Sequence, residues 1–475
     1  MNLNQVFQLA LAAAFPAVAC ANSITGPSSS QSPYVIGSQP GVVTVSVLTV
    51  GDAVNYKADG VTPYRMVGIP DGLGAFDNGD GTFTVLMNQE LGSTIGVARD
   101  HGMKGAFVSK WIIDKGDFTV RHGEDLMKQA WAWTTNGYVL NTNQPFNRFC
   151  SADLPALTAF YNPASGLGYH GRIFMDGEES GTEGRAMAHL MDGNSYELPA
   201  VGKLAFENVV ANPGTGDKTV VAGTDDGTGG QVYMYAGTKT SSADPINAAG
   251  LDNGVLYGIK VAGFAAEPAA TGIPSGTAFT CVNLGDVKLK TGSQIESDSQ
   301  TNGVTSFNRP EDSCWDPSNP NDFYFVTTAS FTGNSRLWRL RFVDASRPEL
   351  GGTIDMLLAG GEGPKMMDNI TVSKRGSVFI LEDVGNNPHI GKIWRYSIAK
   401  DTVEQVAAHD PNRFAVGGSK FLTQDEEASG IIPMNEILGE GWYLFDTQAH
   451  YNTGDSETVE GGQLQLLHFP PGREK

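Results

Sequence analysis

Short runs of apolar residues that end on polar residues recur along most of the chain. In each repeat a β-type run ends on acidic or small polar residues, a glycine-rich turn follows, and a second run carries aromatic residues. The repeats lie at residues 81–90, 171–179, 218–235, 322–340, 376–396 and 441–446. Closely spaced repeats are about 45 to 65 residues apart, near the length of a propeller blade. The pattern predicts an all-β fold of short strands.

Stacking such units around an axis buries both faces of each small sheet and directs the innermost strands toward a common centre. We therefore predict a β-propeller with short helical insertions, the helices being expected at residues 124–133 and 183–191. Two β-sandwich domains are the competing architecture. That alternative does not explain why acidic residues recur at one place in each unit.

The N-terminus has the features of an export signal. An apolar, alanine-rich stretch at residues 6–18 is too short to span a membrane, and it ends in an A-x-A cleavage pattern at residues 19–21. Its first five residues lack Lys and Arg. A lipoprotein with Cys20 as the lipidated residue is the alternative. Either reading places the mature protein outside the cytoplasm, in the periplasm or the extracellular space.

The segment that follows is rich in Ser, Pro and Gly, which indicates a flexible leader. No later segment is apolar for the ~20 residues that a membrane span requires. The predicted organisation is a signal peptide at 1–21, a flexible leader at 22–45 and a single propeller domain at 46–470. We expect a monomer.

The formal net charge of -20 limits which kinds of ligand the protein can bind. A nucleic-acid-binding protein needs a basic footprint, so that class is excluded. Hard cations prefer carboxylate oxygens, so the acidity is compatible with metal binding. It is equally compatible with keeping an exported protein soluble.

Cysteine use leaves two interpretations open. Without Cys20 the chain keeps Cys150, Cys281 and Cys314, an odd number for an oxidising compartment. The three residues form one disulfide and one free thiol, or one of them is a thiolate that binds a metal ion.

Acidic strings at the ends of the β-type runs are the most informative motifs. They are RPED at 309–312, GEE at 177–179, FEN at 206–208, GTDDG at 223–227 and LEDVGNN at 381–387. Carboxylates that meet at a poorly solvated centre repel one another, so they must be protonated, paired or bridged by cations such as Ca²⁺. Each single acid could instead cap a turn. The DNGDG sequence at residues 77–81 lacks the ligand pattern of an EF-hand and predicts a hairpin turn.

The order of these motifs resembles the PhoX family of alkaline phosphatases over residues 60–455. The resemblance implies six propeller blades, export, and hydrolysis of phosphomonoesters at a cluster of Ca²⁺ and Fe³⁺. It implies that Arg309 contacts the phosphate. The implied metal ligands are Cys150, Glu178, Glu207, Asp225, Asp226, Glu311 and Glu382. Further residues expected to line the pocket are Glu90, Asp312, Asp383 and His389.

The residues after Cys150 depart from the family pattern. The family has a Gly-Gly-x-Thr-Pro-Trp-Gly-Thr run that leads quickly to a Glu-Glu pair, whereas Cys150 is followed by SADLP and the pair comes after an insertion. The sequence thus predicts an exported, metal-dependent phosphatase of phosphomonoesters. The alternatives are a calcium-binding surface or binding protein, and a phosphodiesterase or phytase-like esterase on the same scaffold.

Overall fold

The computed structural model describes residues 23–227 and 229–473. The fold is mostly β, with 47% strand and 8% helix, so the prediction of an all-β protein is confirmed. The predicted signal peptide, residues 1–21, and the alternative lipid anchor at Cys20 lie outside the described residues. Among the described helices, none has both the length and the apolar character needed to cross a membrane.

Five short strands open the described chain: β1 (Ser23–Thr25), β2 (Val35–Gly37), β3 (Val43–Thr49), β4 (Ala53–Tyr56) and β5 (Pro63–Arg65). β1 pairs with β3, and β2 pairs with residues 407–409 near the other end of the chain. Part of the predicted leader, residues 22–45, therefore belongs to sheets. The domain boundary at residue 46 stays a prediction, and the pairing of β1 and β2 favours a domain that begins near Ser23.

The next sheet is a four-stranded antiparallel meander. Its strands are β6 (Pro70–Asp77), β7 (Thr82–Gln89), β8 (Phe107–Asp114) and β9 (Val120–Asp125). The turn from β6 to β7 contains the DNGDG sequence, so the hairpin prediction is confirmed. Gly79 and Gly81 have φ angles of 78° and 93°, in the left-handed region that favours glycine. Asp77 Oδ1 accepts a hydrogen bond from the Gly79 N–H at 2.8 Å, which stabilises the turn.

The second meander lies in a six-stranded sheet with the order β11-β10-β17-β16-β15-β12. The strands of this region, with the separate hairpin of β13 and β14, are β10 (Gln129–Thr134), β11 (Gly137–Leu140), β12 (Phe149–Asp153), β13 (Tyr161–Asn162), β14 (Leu167–Gly168), β15 (Ile173–Glu178), β16 (Ala186–Leu190) and β17 (Asn194–Glu197).

Both predicted helices are wrong. Residues 124–133 contain the end of β9 and most of β10, and residues 183–191 contain β16. Ala and Met favour helices in isolation. Every residue of β16 is buried, and the strand pairs with β15 on one side and β17 on the other. The sheet context therefore overrides the local preference.

The third and fourth meanders share a nine-stranded sheet. Its strands are β18 (Phe206–Ala211), β19 (Lys218–Asp225), β20 (Val232–Thr238), β21 (Val255–Val261), β22 (Thr277–Gly285), β23 (Pro310–Asp316), β24 (Asn319–Thr327), β25 (Arg336–Phe342) and β26 (Gly352–Leu358). β22 joins the meanders by pairing with both β21 and β26. The terminal strands β18 and β23 contact each other, so the sheet is nearly closed and barrel-like.

Two five-stranded sheets complete the fold. The fifth meander consists of β27 (Met367–Val372), β28 (Ser377–Glu382), β29 (Lys392–Ser397) and β30 (Thr402–His409), to which β2 is added. The sixth consists of β31 (Glu426–Pro433), β32 (Trp442–Asn452), β33 (Glu460–His468) and the N-terminal strand β3. Because β3 pairs with β33, the two ends of the chain are held in one sheet.

The described helices are short; all but the last lie between strands. The α-helices are α1 (Pro245–Ala248), α2 (Gly292–Asn302), α3 (Pro411–Phe414) and α4 (Asn435–Leu438). The 3₁₀ helices are Leu157–Ala159, Pro199–Val201, Pro348–Leu350 and Pro471–Arg473. In α2, Thr291 and Gln294 form a reciprocal capping box, and Gly303 ends the helix with a φ of 72°.

One edge strand of each meander contacts the corresponding edge strands of the two neighbouring meanders. In order of contact these six strands, here called the ring strands, are β6, β12, β18, β23, β27 and β31, and β31 contacts β6 again. Apolar side chains fill the space between neighbouring sheets. Val220, Phe325 and Trp338, for example, pack in one buried cluster between the third and fourth meanders. The packing of the sheets thus holds the ring strands side by side around a centre.

Candidate metal centre

The second residue of every ring strand is an acid or a cysteine. These six residues, here called the first ring, are Asp71, Cys150, Glu207, Glu311, Asp368 and Glu427. They occupy the same position in six strands that contact one another in a cycle. The repeated strand register therefore brings five carboxylates and one thiol toward one centre.

A second set of polar residues comes from the next strand of each meander. Each donates its backbone N–H to the carbonyl of the residue just before a ring strand, at 2.8 to 3.1 Å. These residues, here called the second ring, are Glu90, Glu179, Asp226, Thr328, Asp383 and His450. Four of the six are acids, so the second ring adds carboxylates beside those of the first.

Members of the two rings form three groups with the dimensions of a metal-binding site. In each group one ligand atom per residue lies within 4.8 Å of the others. The groups are Asp71, Glu90 and Cys150; Cys150, Glu179 and Glu207; and Glu207, Glu311 and Asp368. Cys150 and Glu207 each belong to two groups, so the three candidate positions are contiguous.

The electrostatics of the first ring require compensation by cations or protons. Burial raises the pKa of each of its carboxyl groups well above the ordinary value, and repulsion between neighbouring carboxylates raises the pKa further. The groups concerned are Asp71, Glu207, Glu311, Asp368 and Glu427. Bound cations would allow all of them to ionise.

The donor atoms fit metal ions. Carboxylate oxygens suit hard cations such as Ca²⁺, and a thiolate suits a softer transition-metal ion. Asp71 Oδ1 is buried and has no hydrogen-bond partner among the residues that the structure describes. A buried, unpartnered carboxylate oxygen is costly unless a cation binds it. The observation thus supports a cation beside Asp71, Glu90 and Cys150.

Cys150 is a buried free thiol whose Sγ lies 3.1 Å from Glu179 Oε2. Burial raises its pKa well above the ordinary value, and Glu90, Glu207 and Glu179 raise it further, while Arg148 opposes the change. The other two described cysteines, Cys281 and Cys314, are also free. The disulfide alternative is therefore wrong for these three residues.

Two arginines, each located just before a ring strand, form ion pairs with acids of the rings. Arg309 donates to both oxygens of Asp226, at 2.9 and 2.8 Å, and its Nη2 lies 2.9 Å from Glu311 Oε1. Arg148 contacts Glu90 at 2.7 Å and Glu179 at 2.5 Å. Both guanidinium groups thus lie against the two rings.

A layer of neutral side chains orients the carboxylates. Ser151 donates to Glu207 Oε1 at 2.7 Å and accepts from Asn369 Nδ2 at 2.7 Å. Gln448 Nε2 donates to Glu90 Oε2 at 2.8 Å. These hydrogen bonds limit the positions that the carboxylates can take.

The structure places four of the seven predicted metal ligands and two of the four predicted pocket residues in the two rings. Cys150, Glu207, Glu311 and Glu90 belong to the three groups, and Asp226 and Asp383 belong to the second ring. Arg309 contacts Asp226 and Glu311. The remaining predicted residues are Glu178, Asp225, Glu382, Asp312 and His389.

Three predicted ligands lie outside both rings and are bonded elsewhere. Glu178 forms an ion pair with Arg185 at 2.5 Å. Asp225 accepts from the Ala205 N–H at 3.1 Å, and burial raises its pKa to about 7. Glu382 accepts from Trp394 Nε1 at 2.9 Å and from the Lys365 N–H at 2.8 Å.

Two predicted pocket residues are also bonded away from the groups. Asp312 accepts from the N–H groups of Ser313 at 2.6 Å and Ile370 at 2.8 Å. His389 Nε2 lies 2.9 Å from Glu382 Oε2. Their contacts support the strands around the site.

Sequence reasoning missed several ring residues. They are Asp71, Glu179, Asp368 and Glu427, together with Arg148 as a partner of the acids. Glu179 is the second residue of a pair whose first residue, Glu178, was preferred. A signal for Asp71 and Asp368 exists: an acid follows an apolar or proline residue at the start of a strand in Pro70-Asp71 and Met367-Asp368, as it does in Phe206-Glu207 and Pro310-Glu311.

Comparison with known proteins identifies a family and a solved structure of similar fold. The profile of the family described as alkaline phosphatase PhoX matches residues 191–432, just over half of the chain. No curated protein matches the chain in sequence. The structure of Pseudomonas fluorescens PhoX in complex with vanadate, a transition-state analogue, has a TM-score of 0.66 at 11% identity and covers 91% of this chain and 96% of that one. That likeness concerns the fold.

Two further solved structures are more distant. A protein of unknown function from Dyadobacter fermentans has a TM-score of 0.38 at 8% identity and covers 91% of this chain and 100% of that one. The catalytic domain of a Coprinopsis cinerea α-L-arabinofuranosidase has a TM-score of 0.34 at 9% identity and covers 88% of this chain and 95% of that one. Neither likeness is large enough to bear on fold or function.

Proposed function

The chain belongs to the PhoX family of alkaline phosphatases, which are phosphoric monoester hydrolases, and from that premise we propose that it hydrolyses phosphomonoesters at the two rings of acidic residues with the help of bound calcium and iron ions. The observation that carries the proposal is the first ring. Five carboxylates and one thiol recur at the same position of six adjacent strands, and three of the resulting groups have the dimensions of a metal site.

Glu207, Glu311 and Asp368 form an all-oxygen group, which suits Ca²⁺. Cys150 belongs to the other two groups, and a thiolate ligand favours iron over calcium there. When bound, these ions supply positive charge that stabilises the negative charge of a phosphoryl group in the transition state. The assignment of iron to Cys150 and of calcium to the carboxylates follows from donor type and from the resemblance to the family.

Arg309 is the residue of this chain that we propose to bind the phosphoryl oxygens. Its guanidinium is planar and offers donors in a fixed geometry that matches phosphate. Asp226 holds it through two hydrogen bonds, and Glu311 lies beside it. A side chain held in this way loses little conformational freedom when an anion binds. Vanadate bound to Pseudomonas fluorescens PhoX supports the same class of ligand for this site.

We also infer a six-bladed β-propeller as the architecture, in one domain that begins near Ser23, before the predicted boundary at residue 46, and extends to about residue 470. The six meanders and the cyclic contacts of their ring strands support six blades, and so does the fold likeness to Pseudomonas fluorescens PhoX. Pairing of β3 with β33 would join the last blade by strands from both ends of the chain. A monomer stays the expected state.

Export to the periplasm or the extracellular space is part of the proposal. It is supported by the A-x-A pattern at residues 19–21 and by family membership. Simple cleavage predicts a mature chain that begins at Asn22, and lipidation of Cys20 is the alternative. Mass spectrometry of the N-terminal peptide from exported protein separates the two.

The proposed function is tested with a chromogenic phosphomonoester and purified, metal-replete protein. We expect turnover that a chelator abolishes and that added metal restores, together with iron and calcium in elemental analysis. The matching phosphodiester is assayed in parallel, since faster hydrolysis of the diester would favour the esterase alternative. Calcium without iron and no turnover of either ester would favour the calcium-binding alternative and refute the proposal.

A further inference from the structure

We propose that Arg148 is a second phosphate-binding residue, which forms with Arg309 a two-arginine clamp over the metal centre. This inference deepens the proposed function and rests on it for the identity of the anion as the phosphoryl group of a monoester. It concerns a residue outside the motifs that carry the family resemblance. The contacts, the backbone and the exposure of Arg148 each support it.

Arg148 and Arg309 occupy equivalent places in two meanders. Each directly precedes a ring strand, β12 for Arg148 and β23 for Arg309. The carbonyl of each accepts a backbone hydrogen bond from a second-ring residue, Glu179 at 2.9 Å and Thr328 at 3.1 Å. One ring strand, β18, lies between β12 and β23 in the cycle of contacts. The two arginines therefore precede the ring strands on either side of β18, the strand that carries Glu207.

Both arginines also have left-handed backbone conformations. Their φ angles are 51° for Arg148 and 61° for Arg309. Such values are uncommon for residues other than glycine and cost energy that the surrounding structure must offset. The backbone before these two ring strands thus shares one uncommon range of φ, and each time the residue that adopts it is an arginine.

The two arginines use the same nitrogen atoms, Nε and Nη2, for their ion pairs. Arg148 donates from Nε to Glu90 and contacts Glu179 through Nη2, while Arg309 donates from Nε and Nη2 to Asp226 and contacts Glu311 through Nη2. Each guanidinium thus holds two carboxylates by the same two nitrogens. In the part of the chain that the structure describes, neither Nη1 has a hydrogen-bond partner.

The exposed fractions of the side chains indicate that the unpaired guanidinium N–H groups of the two arginines are open to solvent. The side chains of Arg148 and Arg309 are 46% and 36% exposed, whereas their acidic partners Glu90, Glu179, Asp226 and Glu311 are 9%, 14%, 6% and 2% exposed. The acids therefore lie beneath the guanidinium groups, which have one side open. Two open guanidinium edges above a cationic centre suit a doubly charged anion with several oxygens.

Phosphate binding tests the clamp without requiring turnover. Inorganic phosphate is titrated by calorimetry into metal-replete wild-type protein and into Arg148→Lys and Arg148→Gln. The first variant keeps the charge and loses the planar fork, and the second loses the charge. Loss of a hydrogen bond to a charged group predicts a dissociation constant raised about 10- to 100-fold. Arg309→Gln should weaken phosphate to a similar degree.

Arg121→Gln is the matched control, because Arg121 forms an exposed pair with Asp114 at 2.9 Å on a strand away from the rings. It should bind phosphate as the wild type does. Metal content is measured in every sample and restored with added metal where it falls. Wild-type affinity for phosphate in metal-replete Arg148→Lys and Arg148→Gln would overturn the clamp, and so would a wild-type protein that binds no phosphate.

The two proposals can fail separately. Weaker phosphate binding in the Arg148 variants of a protein that hydrolyses no monoester would keep the clamp and refute the proposed function. Monoester turnover with the same KM and the same inhibition by phosphate in wild type and variants would keep the function and refute the clamp.

Discussion

Replacing Glu207 by glutamine changes a residue that belongs to two of the three candidate metal-binding groups. Glu207 shares one group with Cys150 and Glu179 and another with Glu311 and Asp368. At the 4.8 Å limit of these groups, and with an effective dielectric constant of ~20, two ionised carboxylates repel by about 3.5 kcal/mol. Glu207 therefore destabilises the metal-free fold and stabilises the fold that holds cations.

The expected effect of Glu207→Gln changes sign with metal. Without cations, partial protonation already relieves some of the repulsion, so the variant should gain about 1 to 3 kcal/mol in unfolding free energy. With cations, loss of a ligand that weakens binding about 10- to 100-fold should lower the unfolding free energy by about 1.4 to 2.8 kcal/mol.

The assay is denaturant unfolding at neutral pH, once with saturating calcium and once with chelator, analysed by linear extrapolation. Glu178→Gln is the control, because Glu178 pairs with Arg185 outside the three groups and both side chains are largely buried, at 4% and 13% exposed. Removing one partner of such a pair should cost about 3 kcal/mol with or without metal. Equal destabilisation by Glu207→Gln in both conditions would refute the reasoning.

Two further predictions concern Cys150 and the buried pair of Arg99 and Asp125. Cys150→Ala should lower the iron bound per chain in elemental analysis and largely spare calcium, so iron at the wild-type level would contradict the ligand assignment. Asp125→Asn removes the nearer of two acidic partners of Arg99, whose side chain is 3% exposed and whose Nη1 lies 3.5 Å from Glu457, and should lower the unfolding free energy by about 3 kcal/mol. Burial raises the pKa of Asp125, but Arg99 and hydrogen bonds from Tyr64 and Asp100 outweigh it and hold the pKa below the ordinary value. The wild type should therefore lose this stabilisation as pH falls below about 4, through the lower pKa of the folded state. If Asp125→Asn lost the same unfolding free energy below about pH 4, protonation of Asp125 would not be the cause.

The strands that could be predicted are those whose sequence carries both a short apolar run and a turn signal. Residues 81–90 and 376–396 are examples, since glycine marks the turn and the apolar run that follows forms β7 or β28. β16 could not be predicted, because its Ala-Met-Ala sequence has no strand preference and becomes a strand only between β15 and β17. Pairing of β2 with β30 joins residues far apart in the chain, which local patterns do not indicate.

The sequence predicted acids at the strand ends that form the rings, but it did not decide which residue of an acidic pair faces the centre: Glu178 was chosen over Glu179, and both Asp225 and Asp226 were named. Successive side chains of a strand point to opposite faces. Each acidic pair therefore has one residue toward the rings and one away, and the pair alone does not say which. The second residue belongs to the rings in three pairs, as Glu179, Asp226 and Asp383, while Glu178, Asp225 and Glu382 are bonded elsewhere. In the pair of Glu311 and Asp312 it is the first residue that belongs to the rings.

The charge of the two rings bears on how many ions the centre would hold. The rings contain nine carboxyl groups and one thiol, and the guanidinium groups of Arg148 and Arg309 contact them. If every acid and the thiol are ionised, the surplus is about eight negative charges, which a poorly solvated centre cannot sustain. About three or four divalent or trivalent ions would neutralise it. Arg148 and Arg309 supply only two of the positive charges, so bound ions would have to neutralise most of the acids. Once those ions are bound, the exposed edges of the two guanidinium groups can bind an anion.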